Sequence, residues 1–245
     1  MSIFSQSEIE RRWDKLWRKA ADVDAIVTCS FHNSYYLSGF PMNPWGRYAI
    51  TVSFRNDDPV LIVPELEYEA ARSDSPIRDR RSYNDRDGPS LRAAARLLTE
   101  LLCSRNVESI GIDAESFPTA LYEQMRSGHS ASLRDIGDQI DDVRLVSSDE
   151  ELVLIRAAID VADFGMRRVV ATVQPGTDEA ELAIAVSHAM TGECPPGTEC
   201  STVCVIQQGE RQRTRCHRQS ESLPIADRQT IQDPVLVDER LAGRD

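Results

Sequence analysis

The sequence predicts a mixed α/β domain over about residues 1–143, followed by a second domain of α+β type over residues 144–245. Two observations lead to this division. Short apolar runs that suit buried strands alternate with amphipathic helical segments through the first stretch, which is typical of a mixed sheet flanked by helices. A long helical hairpin, from Ser148 to Met190, then opens the second stretch.

The elements of the first domain follow from local periodicity. Apolar residues at helical spacing predict helices at 7–22, 65–72, 90–103, 118–125 and 137–144. Short apolar runs predict strands at 25–29, 48–54, 59–63, 109–112 and 133–136. The polar turn at 55–58 joins two of these strands and indicates a hairpin.

The helical hairpin of the second domain has clear start and stop signals. Ser148 and Glu151 fit a capping box, in which each side chain accepts a free backbone N–H. The run Gln174-Pro175-Gly176 ends the first helix, because proline lacks the N–H and glycine tolerates a left-handed turn. We expect Thr177 to cap the second helix. Strands are expected at 202–206 and 230–237.

Composition excludes several classes of protein. The chain has 245 residues, of which 41% are hydrophobic and 28% charged, as in a globular protein. No apolar run approaches the roughly 20 residues of a membrane helix, and the N-terminus lacks signal-peptide features, so a cytoplasmic location without a membrane partner is expected. A net charge of −12 disfavours nucleic acid as a partner. The six cysteines are expected to be reduced thiols.

Six stretches of the sequence carry a resemblance to a known family. They are Phe4-Ser5 with Glu8 and Arg11, Ser30–Tyr36, Trp45–Ala49, Ser148–Glu151, Ile155–Ala158 and Gln174–Leu182. The hairpin resembles the opening of the pita-bread domain of the creatinase, prolidase and Xaa-Pro aminopeptidase family of metallopeptidases. The first domain resembles the N-terminal domain of creatinase and its relatives, so the likeness spans about residues 4–190. It implies a creatinase-like α/β domain at 1–143 and an incomplete pita-bread catalytic domain at 144–245.

Arg47 and Trp45 are the first candidate site residues. The resemblance implies that Arg47, in Trp45-Gly46-Arg47, reaches the neighbouring subunit's site in a homodimer and holds the substrate carboxylate. A guanidinium suits this role because it pairs a carboxylate through two charge-assisted hydrogen bonds. The alternative is an ordinary solvated loop arginine.

His217 is the candidate catalytic residue. In creatinase the matching histidine is the general acid-base that breaks a C–N bond, and imidazole suits this work because its pKa lies near neutrality. The alternative is a surface histidine in a basic loop that also holds Arg211, Arg213, Arg215 and Arg218.

A metal site is implied only weakly. Peptidase members of the family hold two divalent metals, and Asp233 and Asp245 are the candidate ligands here. Their separation of twelve residues (245 − 233) is one more than the family spacing. Two carboxylates bind a dimetal centre weakly, so no cofactor is assigned unless a full peptidase-type site with Mn, Co or Zn exists.

A zinc site is the rival metal hypothesis. Its candidate ligands are Cys194, Cys200, Cys204, Cys216 and His217, although their spacing lacks the usual close pairs. The other histidines have no partner at metal spacing, and structural or surface roles are expected for His32, His129 and His188.

The sequence thus predicts a hydrolase of C–N bonds in a small carboxylate-bearing substrate or dipeptide. The active site is expected to be incomplete on this chain, which would be a fragment, a degenerate product or a stable remnant. A sheet of so few strands is expected to leave an open edge. The alternative is a non-catalytic dimerisation or interaction protein of the same descent. The choice between a guanidino compound, an ectoine-type ring and an Xaa-Pro peptide stays open.

Overall fold

The chain forms two compact units, Met1–Ser147 and Ser148–Asp245. The computed structural model describes residues 3–42, 47–55, 57–84, 86, 90–195, 202–208, 231–232 and 235–237. The domain limits from the sequence, 1–143 and 144–245, stay predictions. No helix within the described ranges is both long and apolar enough to cross a membrane.

The first unit alternates helices and strands, as the sequence predicts. Its helices are α1 (Gln6–Lys19), α2 (Phe31–Ser38), α3 (Tyr68–Asp74), α4 (Ser90–Cys103), α5 (Thr119–Gly128) and α6 (Gly137–Arg144), with a 3₁₀ turn at Glu65–Glu67. Its strands are β1 (Ala25–Thr28), β2 (Ile50–Phe54), β3 (Val60–Pro64), β4 (Asp79–Tyr83), β5 (Ser109–Ile112) and β6 (Ser132–Asp135).

The strands form one six-stranded mixed sheet in the order β4-β3-β2-β1-β5-β6. Strand β1 pairs antiparallel with β2 and parallel with β5. The pair β2–β3 is antiparallel, whereas β3–β4 and β5–β6 are parallel. The mixed α/β fold predicted for this stretch is therefore confirmed.

A continuous apolar core joins the sheet to helices α4 and α5. Every residue of β1 and β2 is buried, and Leu98, Leu102 and Leu121 of the two helices are fully buried against them. Such burial contributes about 1.5–3 kcal/mol for each large apolar side chain. The central strands consequently lie at the centre of the apolar core.

Helix α1 carries a buried cation. Arg12 is fully buried and bonds Glu8 Oε1 through Nε at 2.8 Å. Its Nη1 donates to the Tyr36 carbonyl at 2.6 Å, and the guanidinium lies 3.9 Å from the Phe4 ring centroid and 4.4 Å from that of Tyr36. These contacts compensate for desolvation of the charge and fix α1 against α2.

Asp24 ties the amino-terminal ends of β1 and β5 together. Its Oδ2 accepts hydrogen bonds from the Ser109 hydroxyl at 2.8 Å and from the backbone N–H groups of Ser109 and Glu108 at 2.9 and 3.1 Å. The Ser109 hydroxyl lowers the pKa of Asp24 below its ordinary value of 3.8, against a smaller opposing effect of burial. The ionised carboxylate therefore stabilises the fold.

Asp24→Asn should lower the thermal unfolding midpoint at neutral pH, because an amide oxygen accepts these hydrogen bonds more weakly than a carboxylate does. The loss should be only a few degrees, because the carboxylate is largely exposed. Since folding lowers this pKa, the contribution is present above pH 3.8 and is lost as the pH falls through the folded-state value. Thermal denaturation from pH 7 to pH 2 should show the difference between the two proteins shrinking as the pH falls below 3.8. Asp14→Asn, on the exposed surface of α1, should match the wild type throughout. A difference that does not shrink toward the acid end contradicts this account.

The second unit opens with the expected helical hairpin, α7 (Asp149–Thr172) and α8 (Glu179–Glu193). The capping box is present, since Ser148 Oγ accepts from Glu151 N at 3.2 Å and Glu151 Oε2 accepts from Ser148 N at 2.7 Å. Gly176 adopts the left-handed conformation, with φ of 91°. The short strands that follow are β7 (Thr202–Cys204), β8 (Gln207–Gln208), β9 (Ile231–Gln232) and β10 (Val235–Val237).

Strands β7 and β10 form one antiparallel pair, and β8 and β9 form another. The pita-bread assignment of this unit stays a prediction.

The predicted cap of α8 is wrong by one residue. Asp178, not Thr177, is the N-cap, and its Oδ1 accepts from Ala180 N at 2.9 Å and from Glu181 N at 3.0 Å. A carboxylate can accept both N–H groups at once and adds favourable charge at the helix start. Thr177 Oγ1 instead accepts from Gln174 N at 3.1 Å and closes the turn.

The two helices of the hairpin meet at Gly165. A Cβ atom there would lie 2.5 Å from Sδ and 3.0 Å from Cγ of Met190, which is fully buried. Glycine therefore allows close approach of α7 and α8, while Gly192 has no atom within 4 Å of its Cβ position.

Gly165→Ala should lower the unfolding midpoint, because overpacking against Met190 costs about 1–3 kcal/mol and exceeds the gain of up to about 1 kcal/mol from helix propensity. Gly192→Ala is the matched control and should be neutral or stabilising. Circular dichroism during thermal denaturation checks both. If Gly165→Ala unfolds at the same temperature as the control variant, the close approach of the helices is wrong.

Candidate functional site

The candidate site lies where β1 ends. Because β1 runs parallel to β5 and antiparallel to β2, the end of β1, the end of β5 and the start of β2 meet at one edge of the sheet. After β1 the chain continues to β2, on one side of the β1–β5 pair, and after β5 it continues to β6, on the other side. This edge is therefore a topological switch point. Crevices at such points are the usual ligand sites of open α/β sheets.

A cavity of about 100 Å³ opens at this edge. Cys29 and Ser30, directly after β1, form its floor together with Phe31 and Ser34 of helix α2. This is smaller than the range of about 300–1,000 Å³ that is usual for small-molecule sites, so the cavity can enclose only part of a substrate.

Three further segments complete the cavity wall. Phe40 and Met42 come from the stretch after α2, and Ser116 comes from the loop after β5. The stretch that leads into β2 supplies Arg47, Tyr48 and Ala49.

The backbone next to Arg47 is held by Tyr83, the last residue of β4. The Tyr83 hydroxyl accepts from Tyr48 N at 3.0 Å and donates to Tyr48 O at 3.0 Å. Ser90 Oγ donates to the same hydroxyl oxygen at 3.2 Å. We call the two hydrogen bonds between Tyr83 and Tyr48 the Tyr83 clamp. Because Tyr83 is buried, the clamp fixes the backbone that leads into β2, and with it the position of the Arg47 Cα atom.

Helix α2 is fixed at both ends. Ser30 Oγ accepts from Asn33 N at 3.2 Å at the start, and Gly39, with φ of 69°, ends the helix through a bond from its N–H to the Tyr35 carbonyl at 2.7 Å. Ser34 and Thr51 share a hydroxyl–hydroxyl hydrogen bond of 2.7 Å, which joins the helix to β2. The cavity wall is consequently preorganised.

A polar network lies beside the cavity at the end of β5. Asn33 Nδ2 donates to Asp113 Oδ2 at 2.5 Å, and the Ser116 hydroxyl also donates to this oxygen. Arg144 Nη1 donates to Asn33 Oδ1 at 3.1 Å. Asp113 Oδ2 thus accepts two hydrogen bonds from its neighbours, and these bonds hold the loop after β5 in place.

Cys29 contributes a protonated thiol. Burial raises its pKa, and the negative charge of Asp113 raises it further. The thiolate is the reactive form of cysteine, so Cys29 acts as an apolar wall at neutral pH and not as a nucleophile.

Of the site residues predicted from the sequence, the described part of the chain contains Arg47, which lines the cavity. Trp45, His217, Asp233 and Asp245 lie outside the described residues. His32 lies on α2 with its ring 5.2 Å from that of Phe31, in an edge-on contact. Sequence reasoning missed Cys29, Tyr83 and Ser116. The available sequence signal was that Cys29 closes one predicted strand and Ser116 follows another, but the sequence does not show that these strands pair.

No metal site is formed by the described residues, among which no three histidine, cysteine, aspartate or glutamate side chains cluster as ligands. The cysteine prediction is wrong for Cys194, which is disulfide-bonded, whereas Cys29, Cys103 and Cys204 carry reduced thiols. A disulfide sulfur is not a thiolate ligand, so the four-cysteine zinc hypothesis loses one of its ligands. Cys200, Cys216 and His217 lie outside the described residues.

A family model described as the creatinase/prolidase N-terminal domain matches residues 13–146. Among curated proteins, the chain is 25% identical over 169 residues to the Xaa-Pro dipeptidase of Pyrococcus horikoshii, covering 69% of this chain and 43% of that one. It is 28% identical over 202 residues to the creatinase of a Bacillus species, covering 78% and 46%. The chain spans about half the length of the curated relatives it matches.

Solved structures show the same fold. The prolidase from Pyrococcus furiosus superposes with a TM-score of 0.71 at 22% identity, covering 89% of this chain and 64% of that one. The Xaa-Pro dipeptidase from Bacillus anthracis superposes with a TM-score of 0.73 at 14% identity, covering 91% and 59%. At these identities the likeness bears on the fold alone.

Proposed function

The chain belongs to the creatinase/prolidase N-terminal domain family. On that premise we propose that it is part of a hydrolase of C–N bonds, in which it binds the carboxylate of a small substrate. Two relatives support the substrate class. One is named an Xaa-Pro dipeptidase and the other a creatinase. Both Xaa-Pro dipeptides and creatine carry a free carboxylate beside the C–N bond region that such enzymes cleave.

Arg47 carries this proposal. It lines the cavity at the switch point, and its backbone neighbour Tyr48 is clamped by Tyr83. A guanidinium presents two parallel N–H groups to a carboxylate, and a fixed base reduces the entropy lost when the ion pair forms. The proposal includes a homodimer, in which Arg47 and Trp45 of one subunit reach the substrate of the other.

The remaining catalytic parts are carried over from the family resemblance. His217 is proposed as the general acid-base. Asp233 and Asp245 are proposed ligands of a divalent metal, Mn, Co or Zn, if the protein is of the peptidase type. All three lie outside the described residues. The cytoplasm is the proposed location.

Arg47→Ala should lower kcat/KM by about 30-fold or more, because the substrate carboxylate loses a two-pronged charged partner. Arg47→Lys should recover only part, since an ammonium keeps the charge but not the fork. Release of urea from creatine and of proline from Ala-Pro are the readouts, with the exposed Arg78→Ala as matched control. Loss of Ala-Pro hydrolysis on chelation would identify the peptidase type.

Turnover that is unchanged in Arg47→Ala would rule out the assigned role of this residue. Survival of activity in His217→Ala would likewise remove the acid-base assignment.

A non-catalytic interaction protein is the second candidate, and one observation favours it. Helix α7 exposes Ile159, Met166 and Val170, spaced seven and four residues apart along one side. An exposed apolar stripe of this kind is typical of an association surface. A stable dimer in analytical ultracentrifugation, without turnover of either substrate, favours this second candidate over the first.

A further inference from the structure

A second cavity of the first unit lies between helix α1 and the β2–β3 hairpin. Its volume is about 320 Å³, against about 100 Å³ for the cavity at the end of β1, and no described residue lines both. This volume reaches the range of about 300–1,000 Å³ that is usual for small-molecule sites. The proposed hydrolase function makes no use of this space.

Two tryptophans of α1 give this cavity a carbon surface. Trp13 is almost fully buried, and its Nε1 donates to the Leu37 carbonyl at 3.0 Å. Trp17 Nε1 donates to Ser53 Oγ at 3.0 Å. Because both indole N–H groups are occupied, the rings are held in place and offer a ligand carbon surface and not a donor. Indole rings attract cations, and the Arg55 guanidinium already lies 4.7 Å from the ring centroid of Trp17.

The charged groups of the wall are mostly negative. Among the described lining residues there are four carboxylates and one guanidinium, that of Arg55. Arg55 Nη2 donates to the carbonyls of Ala20, Ala21 and Val23 at 3.2, 2.8 and 2.7 Å, so this cation is directed to the backbone. An anionic ligand would therefore meet a wall of like charge, whereas a cation would be attracted.

Two of the four carboxylates keep their full capacity to accept hydrogen bonds. Glu10 accepts from a glutamine side chain of α1 at 2.9 Å, and Asp57 pairs with Arg105. The side chains of Asp14, on α1, and Asp58, in the turn between β2 and β3, make no hydrogen bond or ion pair with any described residue. An ionised carboxylate accepts and never donates, so these two groups favour a ligand that brings both positive charge and N–H donors.

These features together select an organic ammonium ion with an apolar body. A primary ammonium carries three N–H donors, whereas a quaternary ammonium has the charge without the donors. The two indole rings, with the buried side chains of Ile9 and Ile77, suit a flat or branched apolar body. A metal ion fits less well, because no three potential ligand side chains cluster among the described residues.

We propose that the first unit binds a small primary amine, as its ammonium ion, in the cavity between α1 and the β2–β3 hairpin. The ammonium group lies at Asp14 and Asp58, and the apolar body lies against Trp13 and Trp17. The site lies within one unit and uses none of the residues assigned to hydrolysis. It therefore goes beyond the proposed function and does not depend on it.

Isothermal titration calorimetry of the full chain with 2-phenylethylamine at pH 7 and low ionic strength tests this site. We expect a dissociation constant of about 1 mM, which suits a ligand of so few atoms. Asp14→Asn and Asp58→Asn should each weaken binding by about threefold, because an exposed charge pair contributes little, and the double variant by about tenfold. Asp163→Asn, at an exposed position of α7 in the second unit, is the matched control and should bind as the wild type does.

Three comparison compounds test the parts of the ligand. 2-Phenylethanol has the body without the charge, methylammonium has the head without the body, and trimethyl(2-phenylethyl)ammonium has the charge without N–H donors. Each should bind at least about threefold more weakly than 2-phenylethylamine. Equal affinity for any of the three, equal affinity of the double variant and the wild type, or no binding of 2-phenylethylamine at about 20 mM overturns the site. None of these outcomes involves turnover, so the site and the hydrolase are tested separately.

Discussion

Strand β1 pairs with its two neighbours in opposite senses, and the arrangement of the first unit depends on this. Its four residues are fully buried, with β2 antiparallel on one side and β5 parallel on the other. A parallel pair requires a long crossover, so β5 must arrive from a distant part of the sequence. The consequence is that segments around residues 29, 49 and 116 come together at one edge of the sheet.

The chemistry of the site follows from that edge. Its backbone is fixed by the Tyr83 clamp, the cap at Ser30 and the hydroxyl bond between Ser34 and Thr51. These contacts place Arg47 on a rigid frame beside an apolar cavity. A charged group held in this way pairs with an anion at little entropic cost, and the proposed function depends on this property.

Local signals in the sequence were sufficient for most elements. Helices at Ser90–Cys103 and Gly137–Arg144 and the strand at Ser109–Ile112 have the predicted bounds, because apolar periodicity and burial coincide there. Strand β4 was not predicted, since its sequence Asp-Arg-Arg-Ser-Tyr is polar and an edge strand needs little apolar surface. The cap of α8 was misplaced because Thr177 and Asp178 are both good caps and geometry decides between them.

The cavity could not be derived from sequence patterns. Cys29 and Ser116 are separated by most of the unit, and only the β1–β5 pairing brings them together. Arg47 was predicted from the short motif Trp45-Gly46-Arg47. Its apolar surroundings were not, because they depend on side chains from three separate segments.

Methionine methyl resonances offer the most direct test of where a ligand binds. In protein labelled with ¹³C at the methionine methyl groups, Met42 lies in the cavity wall, Met125 and Met190 lie in the cores of the two units, and Met166 lies on α7. The account predicts that the carboxylate substrate Ala-Pro shifts the resonance of Met42, which lines the same cavity as Arg47, and leaves those of Met125, Met166 and Met190 unchanged. An unchanged Met42 resonance at saturating ligand, or a shift confined to Met166, would contradict it.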